Sequence, residues 1–163
     1  MTDVRIRPLA DHDIDAVVEF SLRAWEPVFA SFRSVLGPTV FARTWPDWRS
    51  AQAEAVAEAC RSPHAWVADL DGAPVGFVTL VFHGPGPSEP NAGELEMVAV
   101  DPAQQRRGIG AALVEFGVER LREAGVPLAI IATGGDPGHA PARRVYERAG
   151  FIGFPQMRYY RAL

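Results

Sequence analysis

One stretch constrains the fold more than any other. Glu94-Leu-Glu-Met-Val-Ala-Val-Asp-Pro is followed by Gln105-Arg-Arg-Gly-Ile-Gly110 and then by a long amphipathic run to Ala124. Glu94 to Val100 predicts a strand, stopped by Asp101-Pro102. Gly108 to Ala124 predicts a helix, with Gly125 as its C-terminal stop. A strand that feeds a helix through a glycine loop commits the chain to an α/β class. The loop also has a chemistry. A helix start leaves N–H groups unpaired and concentrates positive dipole there, which suits a phosphate or pyrophosphate. Arg106 and Arg107 add two fork-shaped cations. A glycine-rich turn that holds no ligand would have the same spacing. A dinucleotide GxGxxG fingerprint is excluded, because Leu113 stands where its third glycine belongs.

The remaining elements follow from local pattern. Val4 to Arg7 alternates and predicts a first strand. Asp11 predicts the N-cap of a helix carrying Ile14, Val17, Val18, Ser21, Leu22 and Trp25, with its end disturbed by Pro27. A second helical stretch runs from Thr39 to Ala59, interrupted near Pro46. Trp66 to Leu70 and Val75 to Phe82 flank Asp71-Gly72, a dipeptide that predicts a tight hairpin because its turn needs positive φ. A Gly/Pro loop covers Gly84 to Gly93. Leu128 to Thr133 predicts a strand, Ala140 to Ala149 a helix ended by Gly150, and Phe151–Phe154 and Gln156–Tyr160 two final strands. The sum is a single mixed sheet with helices.

Composition removes several function classes. All 16 basic residues are arginine, so Schiff-base lysines and a Walker-type lysine are impossible. Cys60 is the single cysteine, which excludes an intrachain disulfide and a CxxC site. The histidines His12, His64, His83 and His139 show no ligand spacing, so no metal is expected. Val75 to Phe82 is the longest apolar run, far short of the ~18 residues of a membrane span. Net charge is −4, against broad nucleic-acid binding. Residues 1–100 carry the acidic excess, and residues 101–163 are net positive. An anionic ligand on the C-terminal half and a cationic one on the N-terminal half would suit this, as would functionless surface charge. With 163 residues, one domain over 1–163 is expected. Early charges from Asp3 to Asp13 argue against an export leader, so the expected compartment is cytoplasmic.

Gln105-Arg106-Arg107-Gly108-Ile109-Gly110 resembles the [QR]-x-x-G-x-[GA] loop of the GNAT superfamily of acetyl-CoA-dependent N-acetyltransferases. Val98-Ala-Val-Asp-Pro resembles the strand end before that loop. Ala142-Arg-Arg-Val-Tyr146-Glu-Arg-Ala-Gly150-Phe151 resembles the family's second signature, A-x-x-x-Y-x-x-x-G-F. The likeness covers about residues 94–154. It implies the acyl-CoA N-acyltransferase fold, in which a mostly antiparallel twisted sheet is flanked by helices. It also implies acetyl-CoA as co-substrate and acyl transfer to an amine. One departure is visible: His139 stands seven residues before Tyr146, where many members carry Asn.

The resemblance further implies roles. Backbone N–H groups from Arg106 to Gly110, with Gln105 and Ala111 at the rims, bind the pyrophosphate. The pantetheine arm lies along Met97, Val98 and Val100. His139 sits on the cofactor side. Arg143 and Arg144 face solvent, or one of them, Arg143, meets the CoA 3′-phosphate. Glu96, or Glu94, draws the ammonium and serves as base directly or through water, although exposed strand carboxylates would fit the same pattern. Tyr146 protonates the leaving thiolate, or is a packing residue. Trp25, Phe29 and Phe32, with Trp45 and Trp48 nearby, and Phe154 or Tyr159 from the last strands, line the acceptor pocket or the core. The acceptor expected is a small-molecule amine, with no nucleic-acid or membrane partner and a homodimer left open. A protein α-amino group or lysine, and a catalytically silent acyl-CoA-binding module, are the alternatives.

Overall fold

A computed structural model describes residues 4–87 and 90–163. The sheet has five strands in the order β1 (Arg5–Pro8), β2 (Ala65–Leu70), β3 (Ala73–His83), β4 (Ala92–Val100) and β5 (Ala129–Ile131). The first three pairings are antiparallel and the β4–β5 pairing is parallel. This is the mixed, mostly antiparallel sheet expected from the sequence. Asp71 and Gly72 turn the β2–β3 hairpin with φ of 53° and 87°, the two positive values that a tight hairpin turn requires.

Helices cover both faces. On one side, α1 (Ile14–Thr44) and α2 (Trp48–Cys60) pack Val17, Phe20, Val56 and Cys60 on Val67, Phe77 and Ala99. On the other, α3 (Ile109–Glu123) seals Val78, Leu80, Leu95 and Val100 with Ile109, Leu113, Val114 and Leu121. Contact there is close. A methyl group placed on Gly117 would stand 3.0 Å from Leu95 Cδ2, and one on Gly93 2.1 Å from Leu121 Cδ2. These two glycines let α3 lie against β4. The short α4 (Ala140–Arg148) completes that side. Among the described residues no helix is long and apolar enough to cross a membrane.

Two expectations need correction. Pro27 does not end α1, which continues to Thr44 and breaks instead at Gly37, φ 78° and ψ 160°. A proline inside a helix can cost about 3 kcal/mol, but the buried Val17, Phe20, Ser21 and Phe29 anchor α1 on both sides of the exposed Pro27. The residues after Thr39 therefore belong to the end of α1. A separate helix begins only at Trp48, capped by Asp47 Oδ1 on the Ser50 N–H at 3.2 Å. The strands expected at Phe151–Phe154 and Gln156–Tyr160 do not form. Residues 151–163 have no regular structure, and Ile152, Phe154, Met157 and Tyr159 are exposed. Gly153 and Pro155 interrupt these short runs, proline lacks the ladder N–H, and β5 offers an edge only three residues long.

Candidate functional site

Strand β4 is regular on neither edge. β3 pairs with it from Ala92 to Val100, but Thr79 faces Met97 while Leu80 faces Leu95, so Glu96 is an extra, bulged residue. A bulge of this kind re-aims side chains. It puts Glu96 and Met97 on the same face, the one toward α1, and restores Val98 and Val100 to the α3 side. On its other edge, β4 pairs with β5 only at Gly93, Glu94 and Leu95. From Glu96 to Val100 that edge has no strand partner among the described residues, so an extended chain of amide groups could pair there.

Glu94 and Glu96 both lie on the α1 face, as the sequence spacing suggested. Glu96 is exposed and accepts a long 3.3 Å hydrogen bond from the Oγ1 of the fully buried Thr79. Glu94 is half-buried, and its Oε2 is 2.6 Å from His83 Nε2. His83 was not among the expected site residues. Its pairing depends on strand register, which the linear sequence does not display.

The open edge of β4 leads into the glycine loop. Asp101 caps it through a 3.0 Å bond from the Ala103 N–H, and Gln105 Nε2 donates to the Val100 carbonyl at 3.1 Å. The Gln105 side chain thus fixes the loop to the strand. Arg106 has φ 64° and Gly108 φ 79°. For Arg106 this left-handed backbone costs on the order of 1 kcal/mol, a strain that tends to mark functional loops. Gly108 is the N-cap of α3 and has no side chain to cap with. The first turn of α3 holds no acidic residue. The helix bonds begin with the Ala112 N–H on the Gly108 carbonyl, so the N–H groups of Ile109, Gly110 and Ala111 lack intrahelical acceptors. A methyl group on Gly110 would meet only Val100 Cγ2, at 3.7 Å. Protein packing does not demand a glycine there. Arg106 and Arg107 are exposed, and Arg107 Nη1 donates to Gln104 Oε1 at 2.6 Å.

The third part of the site is the turn before α4. Burial alone would raise the Asp136 carboxyl, but hydrogen bonds from Ser31 and His139 outweigh it and hold the group below the usual carboxylate range. Ser31 Oγ on α1 donates to Asp136 Oδ2 at 2.6 Å and accepts from the Gly138 N–H at 2.9 Å. His139 Nδ1 lies 2.6 Å from Asp136 Oδ1, with both side chains largely buried. Arg143 Nη1 donates to the Gly134 and Asp136 carbonyls at 2.7 and 2.8 Å, so this guanidinium holds the turn. Arg143 and Tyr146 stand three residues apart on α4, and His139 immediately precedes that helix. Burial raises the Tyr146 phenol above its ordinary value and keeps it protonated. Its ring packs on the α3-side core, 6.5 Å from that of Phe151.

The aromatic residues divide. Phe29 stacks on Trp48 at 4.2 Å, Phe32 on Trp45 at 4.9 Å, and Phe32 reaches His139 at 5.5 Å. These rings join α1 and α2 to the turn before α4. Trp25 instead packs toward Phe77 in the sheet core, at 6.5 Å. Phe154 and Tyr159, both exposed on the unpaired tail, are not gathered with them. Ser31 and Asp136 were missed in the sequence. The one local signal was Asp136 standing three residues before His139. Cys60 is buried, and burial pushes its thiol up to about 11, away from nucleophilic use.

A family model described as the acetyltransferase (GNAT) family matches residues 29–151. A mycothiol acetyltransferase of Rhodococcus erythropolis (strain PR4 / NBRC 100887) is 38% identical over 90 residues, 55% of this chain and 29% of that protein. A mycothiol acetyltransferase of Rhodococcus jostii (strain RHA1) is 32% identical over 160 residues, 91% of this chain and 52% of that protein. The chain thus spans about half the length of this second relative and less of the first. Among solved structures, a putative acetyltransferase of the GNAT family from Desulfovibrio desulfuricans superposes with a TM-score of 0.66 at 25% identity, covering 94% of this chain and 87% of the other.

Proposed function

The chain belongs to the acetyltransferase (GNAT) family, and from that premise we propose that it transfers the acetyl group of acetyl-CoA to the primary amine of a small molecule. The observation that carries this reading is the continuity of the open β4 edge with an acid-free helix start. An extended amide-bearing arm and a polyphosphate need those two features, end to end. The residues fit the co-substrate: at Gly110 space stands open where packing would tolerate a side chain. The relatives' name, mycothiol acetyltransferase, supports a small-molecule acceptor.

Acetyl-CoA supplies an activated thioester. The protein's own residues bind, orient and move protons. The N–H groups of Gly108 to Ala111 bind the pyrophosphate, and Arg106 and Arg107 neutralise it. Gln105 and Arg143 hold the walls of the slot. Met97, Val98 and Val100 present the strand edge along which the pantetheine arm lies, and a β4 N–H there polarises the thioester carbonyl. Glu96, with Glu94 behind it, draws the acceptor's ammonium and takes its proton directly or through water. Tyr146 holds a proton at Oη for the leaving sulfur. Phe29 and Phe32 bound the acceptor's apolar part beside His139.

The test is a panel of small amines, with peptides bearing a free α-amino group or lysine as a separate arm, assayed for thiol release. Turnover with a small amine supports the proposal. Turnover with peptides alone transfers it to protein acetylation. Acetyl-CoA binding without turnover on any amine identifies a silent acyl-CoA-binding module.

A further inference from the structure

We propose that Asp136, braced by Ser31, is a positioning residue that makes His139 a hydrogen-bond acceptor for a hydroxyl group of the acceptor amine. This rests on the acyl-transfer reading above and narrows its substrate to amines that carry a hydroxyl. Ser31 Oγ donates to Asp136 Oδ2 at 2.6 Å, and Asp136 Oδ1 lies 2.6 Å from His139 Nδ1. An ionised carboxylate can only accept, so Nδ1 must carry the ring proton. In the neutral imidazole, Nε2 then holds a lone pair and no hydrogen. The ring is fixed in one polarity.

The surroundings hold the pair in place. Side-chain exposure is 11% for Asp136 and 16% for His139. The backbone beside them has room for glycine alone. A methyl group on Gly134 would stand 2.5 Å from His139 Nδ1, and one on Gly138 2.6 Å from Ser31 Cβ. Nε2 is the free end of this arrangement. It bonds to no protein group among the described residues, yet it is not a buried unpaired atom, so it meets solvent. The ring lies 5.5 Å from that of Phe32 on α1, and Phe32 stacks on Trp45. His139 thus belongs to the α1 side, which also carries Glu96, whereas Tyr146 packs in the α3-side core. A few fixed polar groups among apolar walls are what orient a small ligand. A lone pair beside an aromatic ring suits a hydroxyl whose carbon skeleton rests on Phe32. The ammonium drawn to Glu96 is a separate group of the same molecule.

The experiment pairs aminocyclohexanols with their O-methyl ethers, and ethanolamine with methoxyethylamine. A hydroxyl donates, whereas an ether oxygen only accepts. In at least one pair the parent protein favours the hydroxyl member by about tenfold or more in kcat/KM. Asp136→Asn offers a side-chain N–H to Nδ1, which lets the ring proton move to Nε2. The preference then falls about tenfold or reverses, while KM for acetyl-CoA stays put. The ether's extra methyl is the same for both proteins, so the change in ratio reports polarity and not size. Thermal melts verify folding. If Asp136→Asn does not fold, Ser31→Ala is read the same way with a smaller fall, since the Gly138 N–H still bonds Asp136 Oδ2 at 3.1 Å. A parent that acetylates amines but favours no hydroxyl member overturns the proposal. An unchanged ratio in folded Asp136→Asn overturns it as well. So does a raised KM for acetyl-CoA with the ratio unmoved, which assigns His139 to the co-substrate. A parent without turnover on any amine sinks the acyl-transfer reading instead, so the two failures are distinguishable.

Discussion

Gly110→Asp is expected to move stability and ligand affinity in opposite directions. Gly110 is the second residue of α3, in helical conformation, and its added Cβ would meet only Val100 Cγ2 at 3.7 Å. Replacing glycine inside a helix relieves a few tenths of a kcal/mol for a residue such as Asp. A carboxylate in the first turn adds about 0.3–1 kcal/mol through the helix dipole, and that turn has no acid now. The ligand-free variant should therefore melt about 1–5 °C higher for a chain of this length. In the proposed binding mode the same carboxylate would face the pyrophosphate. Two like charges about 5 Å apart at an effective dielectric of 20–40 repel by roughly 2–3 kcal/mol. Affinity for CoA should then fall roughly 30- to 150-fold. Calorimetric titration measures the binding, and a thermal melt without ligand measures the stability. Gly110→Asn separates shape from charge, and raising the salt should recover part of the Asp loss alone. An unchanged Kd in a folded Gly110→Asp protein would falsify the placement of the pyrophosphate at this helix start.

Further outcomes follow from the same geometry. Glu96→Gln keeps shape and removes charge, so kcat/KM for the amine should drop about ten- to a hundredfold while calorimetry finds CoA affinity intact; equal kcat/KM across the pH range removes Glu96 from the chemistry. Tyr146→Phe should lower kcat by roughly ten- to a thousandfold with little change in KM for acetyl-CoA; a parent-like rate in a pre-steady-state measurement that shows chemistry to be limiting makes Tyr146 a packing residue. Asp13 is almost fully buried and takes two bonds from Arg7, at 2.7 and 2.9 Å. The Arg7 hydrogen bond outweighs burial and holds the Asp13 carboxyl below its ordinary value. A depressed folded pKa stabilises above the unfolded value near 3.9 and stops doing so as pH falls through the folded value. Asp13→Asn should therefore cost about 2–3 kcal/mol near neutral pH, discounted for the partial exposure of Arg7. The gap in melting temperature should close as the parent is acidified below about pH 4, and a gap independent of pH would refute the ion-pair account.

How much of this was legible depends on how local each feature is. Asp71-Gly72, Gly108 and Gly125 act through their own backbone, and the hairpin and α3 stand where those residues put them. Pro27 is as local a signal as these, yet α1 runs through it, because Phe20 is held by Phe77 of the sheet and Phe29 by Trp48 of α2, both distant in sequence. The tail failed in the opposite sense. Its β-favouring residues 151–160 needed a partner edge, and three residues of β5 did not supply one. Ser31 and Asp136 lie 105 positions apart, and no pattern within either segment announces their hydrogen bond.

The candidate site shows the same division within one strand. The chemistry of Glu94, Glu96 and the glycine loop is written in residue types and in the two signatures. Their arrangement is not. The pairing with β5 stops at Leu95, and the next residue, Glu96, is the bulge against β3. The two irregularities are adjacent and do different things. The lost β5 pairing frees backbone groups along one edge of β4, which an amide-bearing ligand can use. The bulge keeps Met97 on the α1 face beside Glu96, the face where the proposed amine would arrive. A strictly alternating β4 would have kept Met97 on the same face as Leu95 and moved Val98 and Val100 out of the α3 core. One extra residue thus reconciles Val98 and Val100 in the α3 core with a Glu96 carboxylate on the α1 face, and it is fixed by the register of β3 on β4.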